Sequence, residues 1–269
     1  MSAAVVEALA ALGFKSSREQ VLAILAHATK SRLSPLETVQ LVTEGERRAR
    51  DACNLAYRTK RAALGAPKPM ADFEWDYPRA IDRTLYDELA TLACIRQREN
   101  ILLRGPSGVG KTMIGQNIGL LAINAGMTVV FTNTAAMLAD LLRQSSVPAI
   151  ERRIRRYTNV DLLVCDELGY VPAVETREVD LFYQVLSRRH GKASTLITTN
   201  LPFKAWGNVF PGASCLVALI DRFTEHLHVL DIDGDSYRQK GRTVDDALPA
   251  ATARLASSSD RPRKKTRSR

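Results

Sequence analysis

Short apolar runs alternate with longer amphipathic segments through the middle of this chain. The runs are rich in β-branched residues, which is typical of buried strands, and the segments between them have helical periodicity. Strands are predicted at 100–104, 127–132, 160–167, 194–200 and 226–232. Helices are predicted at 113–122, 135–143 with Thr134 as N-cap, 147–157, 179–190 and 217–224. This alternation predicts an α/β fold with a parallel sheet flanked by helices. Because ligands bind beyond the carboxyl ends of such strands, we expect every polar site residue named below to lie there.

The first 66 residues have a helical pattern only. Ser17 is predicted to cap one helix. Ser34 is predicted to cap a longer one, with Pro35 in its first turn and Glu37 as its capping-box partner. The Gly-Ala-Pro-Lys-Pro sequence at 65–69 breaks that helix and is predicted to be a linker. We predict a small all-α interaction domain at 1–66, an α/β domain at 67–242 and a disordered basic tail at 243–269.

Composition favours a soluble protein of the cytoplasm. The chain has 269 residues, of which 45% are hydrophobic, and no apolar stretch is long enough to span a membrane. The first residues lack the pattern of a secretory signal, and we expect none. The four cysteines are far apart and are expected to be reduced and mostly buried, with Cys165 inside a predicted core strand.

The charge balance favours a polyanionic partner. Lys and Arg total 38 against 29 acidic residues, which gives a formal net charge of +9. The segment 261–269 carries six of these positive charges and no acid, so the rest of the chain is near +3. This tail is either a solubilising segment or a DNA-contacting arm. The long N-terminal helix leaves the same two interpretations open, contact with DNA or a solvated face, for its basic residues Arg47, Arg48, Arg50, Arg58, Lys60 and Arg61.

A phosphate-binding loop joins the first predicted strand of the central region to its helix. The loop matches the pattern G-x-x-x-x-G-K-[ST] and consists of Gly105, Pro106, Ser107, Gly108, Val109, Gly110, Lys111 and Thr112. Its glycines allow backbone N–H groups to converge on a phosphate, and the helix N-terminus adds a partial positive charge. Lys111 is expected to reach the β- and γ-phosphates of a nucleotide, and Thr112 to be a ligand of Mg²⁺.

Two predicted strands end in polar residues that fit the rest of an ATP site. Asp166 and Glu167 end an apolar strand; the first is expected to hold Mg²⁺ and the second to act as general base for the attacking water. Asn200, which ends the next strand, could orient that water or simply form a turn before Leu201-Pro202. The carboxylate pair favours an ATPase over a small-molecule P-loop kinase.

Arg222 lies near the end of the last predicted helix. It could make contacts within its own chain. It could instead project into the nucleotide site of a neighbouring copy as an arginine finger, which would require an oligomer.

Four segments give the chain a specific resemblance. They are 100–112, 161–170 with its Asp-Glu-Leu-Gly-Tyr sequence, 198–200, and 220–223 followed by the Asp-Gly-Asp-Ser-Tyr-Arg sequence of 233–238. Together they resemble the IstB family, which are AAA+ ATP-binding proteins encoded beside the transposase IstA in bacterial insertion sequences. These proteins are related to the helicase loader DnaC. The resemblance covers most of residues 70–242.

The resemblance implies an AAA+ ATPase core behind a helical N-terminal domain. It implies ATP and Mg²⁺ as ligands, ATP-dependent oligomerisation on duplex DNA, target selection and stimulation of an IstA-type transposase. It assigns Lys111 and Thr112 to nucleotide and Mg²⁺, Asp166 to the metal, Glu167 to catalysis, Asn200 to sensor 1 and Arg222 to the finger. Few residues follow the last strand, so no full lid domain is expected, and Arg238 is the candidate to replace a lid-borne sensor.

The DNA is expected to be held through its phosphates with little sequence preference. The candidate contacts are Arg152, Arg153, Arg155 and Arg156, on the basic helix before the second acidic motif. A DnaC-like helicase loader is the main alternative function. The identity of the partner that binds the N-terminal domain would separate the two.

Overall fold

A computed structural model describes residues 2–169, 176–209 and 215–240. Three helices form the N-terminal part: α1 (Ser2–Ala11), α2 (Arg18–Lys30) and α3 (Pro35–Ala62). Both predicted caps are confirmed, because Ser17 and Ser34 each accept a hydrogen bond from the third backbone amide of their helix and form a complete capping box. Glu46 connects α3 to the loop between α1 and α2, because its buried carboxylate accepts hydrogen bonds from the backbone amides of Lys15 and Ser16.

The segment after α3 is anchored to the rest of the fold. The helix ends where Ala63 adopts a left-handed conformation, and Leu64 is buried. Gln116 donates a side-chain hydrogen bond to the carbonyl of Leu64 (2.8 Å), and Asn117 donates one to the carbonyl of Lys68 (2.8 Å). The predicted linker is therefore fastened to the helix that follows the phosphate-binding loop.

The described residues include the strands β1 (Ala80–Ile81), β2 (Asn100–Arg104), β3 (Val129–Asn133), β4 (Leu162–Leu168), β5 (Ser194–Thr199) and β6 (Leu227–Asp233). These six strands form one sheet in the order β1-β6-β2-β5-β4-β3. The short β1 pairs antiparallel with β6, and the other pairings are parallel as predicted. The helices of this part are α4 (Arg83–Ala90), α5 (Ala93–Arg96), α6 (Lys111–Asn124), α7 (Thr134–Leu142), α8 (Val147–Thr158), α9 (Thr176–Arg189), α10 (Trp206–Val209) and α11 (Leu216–Thr224).

The sheet separates two hydrophobic clusters. Successive strand residues point to opposite faces, so Leu102 and Leu163 join one cluster and Ile101 and Leu162 join the other. Residues of α7, α8, α9 and α11 cover the first face, and residues of α4, α5 and α6 cover the second. Burial on both faces explains why these strands are continuous apolar runs rather than alternating ones.

Several predictions need correction or cannot be compared with the structure. Asn133, not Thr134, caps α7, because its side-chain oxygen accepts hydrogen bonds from the amides of residues 135 and 136. Cys165 is fully buried as predicted and Cys94 is buried, but Cys53 is exposed. The predicted tail and Tyr170 of the Asp-Glu-Leu-Gly-Tyr sequence lie outside the described residues. No helix in the described ranges is long and apolar enough to cross a membrane.

Candidate ATP site

The phosphate-binding loop lies between β2 and α6, and its glycines are required by their surroundings. Gly108 has φ +85°, and a Cβ added there would lie 2.1 Å from Ser236 Oγ. Gly110 has φ +100°, and a Cβ there would meet the ring of Phe73 at 2.6 Å. Larger residues at either position would collide with these neighbours as well as strain the backbone. The loop thus has the tight curvature that a phosphate cradle needs, with the N-terminus of α6 directed into it.

Lys111 is held within this loop. Its Nζ donates hydrogen bonds to the carbonyl oxygens of Gly105 (2.8 Å) and Pro106 (2.6 Å). Burial lowers the pKa of Lys111, while the nearby charges of Asp166 and Glu167 act in the opposite direction. An ammonium group here is positioned to neutralise phosphate charge.

Thr112 and Asp166 come together as predicted from the sequence. The Thr112 hydroxyl lies 3.1 Å from each carboxylate oxygen of Asp166. Asp166 is buried, and its Oδ1 also accepts a hydrogen bond from the Thr198 hydroxyl at 2.6 Å. A hydroxyl and one carboxylate are the oxygen ligands that Mg²⁺ takes beside nucleotide phosphates, so these two residues fit that ion.

Glu167 is exposed, and a neighbouring strand restrains its carboxylate. Asn133 at the end of β3 donates a side-chain hydrogen bond to Glu167 Oε2 at 2.8 Å. Sequence reasoning missed Asn133, although its position as a polar residue ending a β-branched strand, next to the strand of the acids, was the available signal.

A cavity of about 350 Å³ brings eight of the residues predicted for the ATP site together. This volume is within the range of small-molecule sites, and the glycine loop, ammonium group and oxygen ligands that surround it fit a nucleoside triphosphate with its metal. Asn200, at the end of β5, lines the same cavity. The predicted residues on its wall are Ser107, Gly108, Val109, Gly110, Lys111, Thr112, Glu167 and Asn200.

Two further segments close the other side of the cavity. Phe73, Glu74 and Tyr77 line it from the segment before β1, and Tyr237 and Arg238 line it from the segment after β6. The segments are joined by hydrogen bonds from Tyr237 to Glu74 (2.7 Å) and from Tyr77 to the carbonyl of residue 236 (3.3 Å). The backbone amide of Tyr237 also donates a hydrogen bond to the carbonyl of Gly108 at 3.0 Å, which connects the segment after β6 to the phosphate-binding loop. Arg238, the candidate to replace a lid-borne sensor, therefore lies on the wall of this cavity, and its role as a sensor stays a prediction.

Arg222 does not lie at the carboxyl ends of the strands, and that expectation was wrong for this residue. Asn100, at the start of β2, donates a hydrogen bond to the carbonyl of Phe223, the next residue after Arg222 (3.0 Å). The phosphate-binding loop follows the opposite end of β2, about 13 Å away for a strand of this length. The Arg222 guanidinium instead contacts α9, where it donates to the hydroxyls of Tyr183 (2.7 Å) and Ser187.

The four arginines predicted to contact DNA have different surroundings. Arg153 donates two hydrogen bonds, of 2.6 and 2.5 Å, to the carboxylate of Asp140. Arg155 is exposed and lies 3.6 Å from Glu151, and Arg156 lies over the ring of Tyr157. Arg152 is exposed. The side chains of Arg152 and Arg155 are thus the more accessible members of this group.

Comparison with solved structures shows the fold. The chain is similar to DnaI, with a TM-score of 0.51 and 16% identity over 64% of this chain and 90% of that one. It is also similar to domain III of the Thermotoga maritima replication initiation protein DnaA, with a TM-score of 0.50 and 17% identity over 64% of this chain and 70% of that one. The predicted fold class, an α/β core with a mostly parallel sheet flanked by helices and preceded by N-terminal helices, is confirmed.

Comparison with related sequences identifies the family of the chain more specifically than the fold does. The chain is 34% identical over 220 residues to a Pseudomonas aeruginosa protein named as an ATP-binding protein of insertion sequence IS21, which covers 82% of this chain and 83% of the relative. It is 31% identical over 229 residues to a protein named in the same way for insertion sequence IS232 of Bacillus thuringiensis, covering 85% and 91% of the two chains. The model of the IstB-like ATP-binding protein family matches residues 7–244. With the phosphate-binding loop and paired acids in place, the chain belongs to the family of IstB-like ATP-binding proteins.

Proposed function

We propose that this chain is a magnesium-dependent ATPase that assembles on duplex DNA and assists the transposase of an insertion sequence. The observation that carries the proposal is the separation of Arg222 from the nucleotide cavity of its own chain. The phosphate-binding loop and the acids lie at the carboxyl ends of the strands, whereas Arg222 lies at their amino ends. A site that needs all three is therefore completed by Arg222 from a second copy.

Hydrolysis in this proposal depends on the two acids at the end of β4. Asp166 and Thr112 would hold Mg²⁺, and the ion would neutralise charge at the phosphates. Glu167 accepts the proton of the attacking water once its carboxylate is free of Asn133. Asn200, on the wall of the same cavity, orients that water, and Lys111 stabilises the phosphate charge.

The oligomer places Arg222 of one copy against the phosphates of the next. A guanidinium that forms charge-assisted hydrogen bonds to phosphate stabilises the charge that develops during phosphoryl transfer. Tyr183 and Ser187 hold the Arg222 side chain on the exposed surface of α9 and α11. Assembly and hydrolysis are then coupled, because neither copy has a complete site by itself.

DNA contact is assigned to the more exposed basic side chains of α8. Arg152 and Arg155 are preferred to Arg153, because Arg153 forms two hydrogen bonds to Asp140, whereas the contact of Arg155 with Glu151 is longer, at 3.6 Å, and exposed. On α3, Arg47 and Arg48 pair with Glu44, and Arg50 pairs with Glu46, which favours the solvated-face interpretation for this part of the helix. Contacts of this kind hold the phosphate backbone with little sequence preference.

The transposase is proposed as partner because the curated relatives are named for insertion sequences. The similarity to DnaI is a similarity of fold alone. Helicase loading remains the alternative that the sequence resemblance implies.

The test is ATP hydrolysis and assembly size with and without duplex DNA at low and high salt. We expect ATP and duplex DNA together to produce large assemblies and to change turnover, with the DNA effect weakening as salt rises. A protein that stays small and hydrolyses ATP at the same rate with or without duplex DNA would contradict the proposal. Binding to a replicative helicase but not to a transposase would then support the alternative. Glu167→Gln is the control for hydrolysis that does not come from this site.

A further inference from the structure

The two site acids form a bulge in the central sheet. Cys165 of β4 pairs with Ile197 of β5, and Leu168 pairs with Thr199, so Asp166 and Glu167 together face a single residue. Two residues facing one is the geometry of a β-bulge, which redirects the side chains that it carries. Glu167 has a left-handed backbone with φ +59°, an unfavourable conformation for a side chain of this kind that its surroundings must hold in place.

Thr198 is the residue that faces the two acids. Its hydroxyl accepts a hydrogen bond from the Glu167 amide (2.9 Å) and donates one to Asp166 Oδ1 (2.6 Å). A hydroxyl carries one proton, so the direction of both bonds is fixed by their partners: the amide can only donate and the carboxylate can only accept. Thr198 is completely buried. Its β-branched side chain has few rotamers, which keeps the hydroxyl in place between the acids.

Neighbouring hydroxyls fix the backbone on both sides of the bulge. Thr134 at the start of α7 donates to the carbonyl of Asp166 (3.0 Å), and Thr199 donates to the carbonyl of Leu168 (2.5 Å). These two contacts hold main-chain atoms only. Thr198 differs because it contacts the carboxylate of one acid and the backbone of the other.

We propose that Thr198 is a positioning residue that sets the geometry of both acids at once. Its donated hydrogen bond orients the Asp166 carboxylate toward Thr112, and its accepted hydrogen bond holds the strained backbone from which Glu167 projects toward the cavity. The inference rests on the proposed function in that Asp166 is assigned to the metal and Glu167 to the water. A single hydroxyl therefore couples metal binding to the placement of the base.

The test compares Thr198→Val with Thr198→Ser. Valine keeps the shape and removes the hydroxyl, whereas serine keeps the hydroxyl. Thr195→Val is the matched control, because Thr195 is a buried threonine of the same strand whose hydroxyl contacts Arg189 at the far end of the sheet. Thr198→Ala replaces the valine variant if that variant does not fold.

The first readout needs no nucleotide. Hydrogen exchange of the Glu167 amide is expected to accelerate on the order of tenfold or more in Thr198→Val and to stay near the wild-type rate in Thr198→Ser and Thr195→Val. The second readout is the affinity for a fluorescent ATP analogue with and without Mg²⁺. The gain in affinity from Mg²⁺ is expected to shrink about tenfold in Thr198→Val, with little change in the metal-free affinity. In steady-state hydrolysis, kcat is expected to fall more than KM rises, and serine restores it.

Unchanged exchange of the Glu167 amide in Thr198→Val, an unchanged gain from Mg²⁺, or equal effects of Thr198→Val and Thr195→Val would overturn the inference. If the wild-type protein neither hydrolyses ATP nor assembles on DNA, the proposed function fails, but the exchange and metal-dependence measurements still decide the role of Thr198.

Discussion

Asn133 contacts Glu167 and caps α7 with the two ends of one amide group. Its Nδ2 donates to Glu167 Oε2 at 2.8 Å, and its Oδ1 accepts from the backbone amide of Ala135 at 3.0 Å. The residue that restrains the proposed base is thus also part of the frame of the neighbouring helix. The two roles can be separated by substitution.

Asn133→Ser keeps a capping oxygen but is too short to hold Glu167. We expect this variant to hydrolyse ATP faster without DNA, on the order of tenfold, because a hydrogen bond to the carboxylate no longer competes with the attacking water. Asn133→Ala removes both contacts, and it should lose about 1 kcal/mol of stability in addition. Steady-state hydrolysis and urea denaturation measure the two effects. A slower Asn133→Ser enzyme would mean that the contact positions Glu167 for catalysis instead of restraining it.

Glu46 should make the packing of the N-terminal helices sensitive to acid. Burial acts to raise the pKa of its carboxyl, but hydrogen bonds from the Ser16 and Lys15 amides and from Arg50 outweigh this and lower the pKa to about 2. A carboxyl with a depressed folded pKa stabilises the fold above its unfolded pKa near 4.5, and this stabilisation is lost as the pH falls from 4.5 toward 2.

Hydrogen exchange of the Lys15 and Ser16 amides should therefore rise as the pH is lowered through this window, beyond the intrinsic pH dependence of exchange. Glu46→Gln should show faster exchange already at pH 7. Glu44→Gln is the control, since Glu44 lies on the same helix and its contacts with Arg47 and Arg48 are exposed. If both variants behaved alike, Glu46 would not be the residue that holds the loop before α2.

Arg189 is a buried charge that binds carbonyl oxygens where α8, β4 and β5 approach each other. Its guanidinium donates to the carbonyls of Tyr157 (2.8 Å) and Val160 (2.9 Å) and to that of Ser194. Burial lowers the pKa of Arg189 to about 10, which leaves the group charged at neutral pH. Arg189→Met should lower the free energy of unfolding by about 3 kcal/mol or more, because several buried carbonyls lose their donor.

Urea denaturation measures this difference. Arg188→Met is the matched control, since Arg188 is exposed and paired with Glu151, and its loss should cost about 1 kcal/mol or less. Equal stability of the two variants would show that Arg189 does not hold these elements together.

Local sequence predicted the helix starts and the phosphate-binding loop well. Ser17 and Ser34 are followed by the residues that complete a capping box, so the signal lies within four positions. The sequence signals for the phosphate-binding loop and for the Asp166–Glu167 pair also lie within a few positions. Parallel pairing of β2, β5 and β4 brings the carboxyl ends of these strands together. The structure places residues 107–112 of the loop and Glu167 around one cavity, and Asp166 contacts Thr112 of that loop.

Contacts between distant segments could not be predicted in the same way. Asn133 and Thr134 are both good capping residues, and only the backbone path from β3 into α7 decides between them. Whether Arg222 lies at the amino or the carboxyl ends of the strands depends on where α11 ends relative to β6. Residue spacing alone did not reveal this. The role of Thr198 depends on a β-bulge in β4. A bulge shifts the strand register, and its sequence signal is weaker than that of a glycine in a turn.

The most direct test of a shared site mixes two inactive variants. Glu167→Gln retains Arg222 but lacks the base, and Arg222→Ala retains the base but lacks the finger. If Arg222 acts on a neighbour, a mixture on duplex DNA should regain a clear fraction of wild-type hydrolysis, because some sites combine an intact Glu167 with a neighbour's Arg222. Hydrolysis in the mixture no greater than in the separate variants, or full activity of Arg222→Ala by itself, would contradict the account.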